Sequence, residues 1–139
     1  MLTYYEVESA KMDAVSALPR SEGSVEIDYF LSDAPVGSRN ERPMCAYVLL
    51  MTDAKTGYVL GTEILHATDG LEGMLSRIPS KMLEVFSRSG SIPESIAVSR
   101  PVLSQILAPF EDRLAIEVDL TDSLPATTEA RRSLGEFLR

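Results

Sequence analysis

Hydrophobic and polar positions along the 139 residues change period several times, and each change marks an element. Residues 24–33 (SVEIDYFLSD) alternate, with Val25, Ile27, Tyr29 and Leu31 on one side and Glu26, Asp28 and Phe30 on the other. That period of two predicts a half-buried strand. Residues 43–52 (PMCAYVLLMT) are apolar at nearly every position, as a central strand covered on both faces would be. A shorter mixed stretch, 58–65, predicts a third strand, and the five-residue link DAKTG between the two predicts a hairpin. Gly57 would take positive φ there, and Asp53 would cap the turn by accepting a backbone N–H.

The period then lengthens. Leu71, Met74, Leu75, Ile78, Met82 and Phe86 recur at spacings of three and four, opposite Glu72, Arg77, Lys81, Glu84 and Arg88. This predicts an amphipathic helix over about 70–89, capped by Asp69, stopped by Gly90, and kinked or divided at Pro79. Further along, SIAVS (95–99) predicts a short buried strand. A helix should follow from Pro101, with Val102, Leu103, Ile106, Leu107 and Phe110 inward and its end bent or shortened by Pro109. Residues 114–120 alternate as an edge strand, with Leu114, Ile116, Val118 and Leu120 inward. A last helix runs beyond Pro125, and a leading helix over 4–18 would gather Val7, Met12, Val15 and Leu18. The order β-β-β-α-β-α-β-α predicts an α/β fold: one domain with a mixed five-stranded sheet, three strands in an antiparallel meander and two added in parallel through right-handed crossovers. This is the order of the ribonuclease H-like architecture, and a topology does not assign a function.

Composition sets limits on chemistry. A net charge of −8 argues against nucleic-acid binding, because phosphate backbones demand a cationic surface. The densest basic feature is Arg131-Arg132 on the last helix, where cations suit the dipole. The lone Cys45 excludes an internal disulfide and any multi-cysteine zinc site, and its apolar neighbours predict a buried, unreactive thiol. The start has neither a basic nor a long apolar segment, and the run Met44–Met51 is far short of the ~20 residues of a membrane span. A cytoplasmic location and no membrane contact are expected.

The stretches 42–65 and 90–126 resemble a family of uncharacterised bacterial domains of unknown function. The motifs that carry the resemblance are Asp53–Gly57 as an Asp-x-x-Thr-Gly hairpin, Gly90–Pro93 as a Gly-x-x-Pro turn, Leu107–Pro109, and the Leu124–Pro125 pair. The resemblance implies a fold and brings no catalytic, cofactor-binding or metal-ligating residue. In that family an acidic residue often follows the fourth strand; Ser99-Arg100 stands here.

Two-metal phosphoryl chemistry needs several carboxylates around ions about 3.5–4 Å apart. In a ribonuclease H-like layout they come from the first strand, the first helix and the end of the fourth strand. Asp28 suits the first position and Glu72 or Glu84 the second. The third has Arg100, a cation, and Asp53 is expected to serve the turn. His66, the single histidine, is expected on a solvated loop, with no nucleophile such as Ser99 or Cys45 placed beside it. The glycines at 57, 61, 70 and 73 are too scattered for a phosphate loop, and Gly73 suits close helix packing. Met44, Met51, Met74 and Met82 fall on apolar positions, as core filler or as an adaptable peptide-binding surface. The sequence therefore favours a noncatalytic module that binds a partner protein or its own copy, with no cofactor. The competing readings are a divergent metal-dependent nucleotide- or nucleic-acid-processing enzyme using Asp28 and Glu72, and a small-molecule sensor with a closed apolar pocket.

Overall fold

The computed structural model describes residues 4–31, 46–67 and 70–138. The elements run α1 (Tyr4–Ser16), β1 (Ser24–Leu31), β2 (Ala46–Asp53), β3 (Val59–His66), α2 (Leu71–Ser76), α3 (Ile78–Ser89), β4 (Ser95–Val98), α4 (Pro101–Ile106), α5 (Ala108–Leu114), β5 (Glu117–Leu120) and α6 (Pro125–Leu138). The sheet has the order β3-β2-β1-β4-β5. β2 is antiparallel to β1 and β3, while β4 is parallel to β1 and β5. The mixed five-stranded α/β sheet expected from the periodicity is present.

Pro79 and Pro109 stand where their missing N–H and fixed φ are tolerated, in the first turns of helices. The predicted helix over 70–89 is two helices meeting at Arg77, with Pro79 in the first turn of α3. Pro109 likewise opens α5 instead of bending α4. Gly90 ends α3 at φ 79°, its N–H donating to the Phe86 carbonyl. The N-cap of α2 is Gly70, with no side-chain cap, and Asp69 lies outside the described residues.

Pairing across the strands sorts their residues onto two faces. Val25, Ile27 and Tyr29 join Leu49, Met51, Leu65, Ile96 and Val98 on one face. There Met12 and Val15 of α1, Met74 of α2, Met82 and Phe86 of α3, Leu103 of α4 and Phe110 of α5 complete one continuous core. Phe86 and Phe110 meet with ring centroids 6.4 Å apart. Gly61 lets α3 come close: a Cβ there would lie 2.8 Å from Cγ2 of Val85. The opposite face carries Phe30, Val48 and Leu50, covered by Ala130 and Leu134 of α6.

Several inward assignments change. β1 is covered on both faces, so Phe30 is buried while Leu31, at the strand end, is exposed. Leu71 is exposed because α2 begins at that residue and its buried side chain is Met74. The stretch 114–120 is not one strand. Leu114 closes α5, Ala115 turns the chain at φ 53°, and β5 starts only at Glu117. Leu120, at the far end of β5, is exposed. Met51, Met74 and Met82 are core filler with 0–1% exposure, which removes them from any peptide-binding surface. Met44 and Cys45 lie outside the described residues, as do the predicted strand positions 32–33 and 43–45.

Candidate functional site

The hairpin is built as its sequence requires. Oδ1 of Asp53 accepts the N–H groups of Lys55 at 2.9 Å and Thr56 at 2.8 Å. The Gly57 N–H donates to the Asp53 carbonyl, with φ 77° at Gly57. The Thr56 N–H, and then the Lys55 N–H, hold the Asp53 carboxyl below its ordinary range, against the opposing effect of partial burial. Asp53 is a turn cap.

Asp28 lies on the α6 face of β1. Extending the β1–β4 register by two residues from Glu26↔Ala97 sets Asp28 level with Ser99. Arg100 follows, just past the strand end. Its Nε donates to Oδ1 of Asp28 at 2.7 Å, and its Nη2 to the Tyr29 carbonyl at 3.0 Å. The guanidinium carbon stands 4.5 Å from the Tyr29 ring centroid, within cation–π range. Burial pulls the Arg100 pKa down; the hydrogen bond and charge of Asp28 push it up, and the net direction is up. The carboxylate that a metal enzyme would direct at an ion is bonded to a part-exposed cation of the chain itself.

The remaining acidic candidates do not join it. Glu72 is exposed on α2, whose Met74 packs in the core of the other face. Glu84 accepts a hydrogen bond from Lys11 Nζ at 3.0 Å, and that bond holds its carboxyl below the ordinary range. Among the described residues no group of three His, Cys, Asp or Glu side chains converges on a metal position. His66 is the last residue of β3, not a loop residue. It is exposed, and its carbonyl accepts from Arg77 at 2.7 Å. Ser99 follows β4, three strands across the sheet, roughly 14 Å at the usual interstrand spacing. Arg131 lies 4.2 Å over the Phe30 ring and Arg132 pairs with Glu129, so both have partners within the chain.

Two polar arrangements were not legible in the sequence. Glu26, on the side of the strand with Asp28 and Phe30, is 4% exposed, and its Oε1 accepts the Thr127 N–H at 2.8 Å. It thereby satisfies one of the unpaired donors at the start of α6 and sets a negative charge against the positive end of the helix dipole. Beside it in the register lies Thr52; the Thr52 and Thr127 hydroxyls are buried with no partner among the described residues. The second arrangement is Lys11 Nζ at 2.6 Å from Oγ of Ser80. A serine nucleophile needs a neutral amine as its base, whereas this ammonium is held by Glu84 and donates to the hydroxyl. No spacing signals either contact, since the partners are 101 and 69 residues apart.

A groove of about 670 Å³ runs between the hairpin and α6, lined by Ala54, Gly57, Val59, Ala126, Ala130 and Leu134 among others. It opens to solvent and lacks the enclosed apolar shape a sensor pocket needs. No helix among the described residues is long and apolar enough to cross a membrane.

No curated protein matches the chain. A family model does match, over residues 11–135, and so takes in every described strand together with Asp28, Arg100 and the Asp53 hairpin. The chain belongs to the family described as Domain of unknown function (DUF6930).

Proposed function

We propose that this chain is a noncatalytic, cytoplasmic, single-domain module of ribonuclease H-like topology that binds a partner protein or a second copy of itself. The observation that carries the reading is the Arg100–Asp28 pair at 2.7 Å. In a metal-dependent enzyme of that topology, the end of the fourth strand supplies a carboxylate and the first-strand aspartate faces an ion. Here a guanidinium supplies the positive charge from within the chain. A divalent cation at the same place would have to displace it or meet like-charge repulsion at close range. The strand order, with β2 alone reversed, supports the topological label. The net charge of −8 favours partners other than nucleic acid.

The test is thermal unfolding in the presence of Mn²⁺ or Mg²⁺, with and without nucleotides. A ligand that binds the native state raises the midpoint in proportion to its affinity. The midpoint should stay where it is with every addition. A rise of several degrees that disappears in Asp28→Asn would overturn the reading in favour of the metal-dependent enzyme.

A further inference from the structure

We infer that two copies of this chain pair through the outer edge of β3, in an antiparallel register centred on Ile64; this deepens the association reading above and rests on it. The two edges of the sheet are unlike. β5 is four residues long and carries Glu117 and Asp119, a short and charged edge of the kind that resists pairing. β3 is eight residues long and holds neither proline nor lysine. Its one acid, Glu63, is already bonded to Arg88 of the same chain at 2.8 Å. Among the described residues nothing pairs with its outer side. Ile64 and Val59 are 48% and 39% exposed beside α6, which covers β1 and β2 but leaves the far strand open.

The sequence of β3 selects the register. A two-fold axis normal to the sheet keeps each face on its own side, so a residue at the axis meets its own copy. Centring on Glu63 sets two carboxylates directly opposite, which is unfavourable. Centring on Thr62 sets Ile64 against Leu60, the extra residue where the β2–β3 register shifts, and Leu60 packs toward the core of the other face. Centring on Ile64 uses only the regular part of the strand. It buries the exposed isoleucines against each other, sets Thr62 beside His66, and sets Glu63 beside Leu65. The self-complementary strand is why the occupant is a second copy and not an unrelated peptide. With a net charge of −8 on each copy, association should tighten as salt screens the repulsion.

Sedimentation of the full chain from about 1 µM to 1 mM, the range of weak association, reads the oligomeric state. A concentration-dependent dimer is expected, lost in Ile64→Lys, where two ammonium groups would meet at the axis. In a Cys45→Ser background, Ile64→Cys should form an intercopy disulfide under mild oxidation, and Thr62→Cys should not. A monomer throughout the range overturns the inference. So does a dimer that survives Ile64→Lys or cross-links through Thr62→Cys, which would leave self-association standing by another surface. Stabilisation by Mn²⁺ would instead remove the noncatalytic reading and leave the β3 result as measured.

Discussion

The two faces of this sheet are built differently. On one, side chains from α1, α2, α3, α4 and α5 interlock over Ile27, Leu49, Met51 and Ile96 in a continuous apolar core. On the other, α6 is the one helix among the described residues that covers Phe30, Val48 and Leu50, and the face also carries the polar Glu26, Asp28, Thr52 and Thr62 beside the exposed Ile64 and Val59. The first face explains why the chain folds. On the second, the buried Glu26 and the part-buried Asp28 each have a partner within the chain. Glu26 has the start of a helix and Asp28 has Arg100. Charge on the thin face is spent on architecture, which is the physical difference between this layout and a metal site.

Neighbouring leucines of β2 test the contrast most strongly, since Leu49 points to the thick face and Leu50 to the thin one, both fully buried. Truncating a buried leucine to alanine costs about 2–5 kcal/mol, depending on how far the surroundings collapse into the void. Leu49→Ala should fall at the upper end, because five helices lock the site. Leu50→Ala should fall at the lower end, because α6 alone can shift inward. Chemical denaturation measures both, and equal losses would show that α6 is held as rigidly as the rest.

The next effect separates the two carboxylates. Glu26→Ala leaves a buried helix-terminal N–H without its acceptor, a loss of about 1–3 kcal/mol. Glu26→Gln keeps an acceptor oxygen and should recover most of it. Asp28→Ala should cost less than about 1 kcal/mol, because Arg100 is partly exposed and can turn to water. If Asp28 proved the costlier of the two, the Arg100 pair would be a structural anchor and not a replacement for an ion.

The smallest effect is a pH dependence at the hairpin. The folded pKa of Asp53 lies below its ordinary value of 3.8. Its contribution is therefore complete at neutral pH and disappears as pH falls from that value through the lower folded one. The stability gap between the natural chain and Asp53→Ala should be constant from neutral pH down to mild acid and close only in strong acid. A gap that widened with acid would reverse the sign and contradict the capping role.

These elements also show where the sequence could be read and where it could not. The hairpin, the split helix and the turn at Gly90 depend on a few adjacent residues whose local geometry is nearly obligatory, and they appear as expected. The burial of Met51, Met74 and Met82 followed from their period. The region 114–120 misled because Leu114 and Ile116 fit a strand's alternation, and only the left-handed turn at Ala115 separates the end of α5 from β5. Local pattern also gave no warning that Glu26 would be buried, since its partner lies on the last helix. The absent carboxylate after β4 was visible as Arg100, but the bond from Arg100 to Asp28 depends on β4 lying parallel beside β1, a tertiary fact.

Calorimetric titration of Mn²⁺ into the natural chain and into Arg100→Asp addresses the central claim, that a guanidinium has taken the place of an ion. The natural chain should give no saturable heat, while Arg100→Asp, which removes the cation and sets a second carboxylate beside Asp28, should gain weak binding that Asp28→Asn abolishes. Saturable Mn²⁺ binding to the natural chain, lost in Asp28→Asn, would contradict the account.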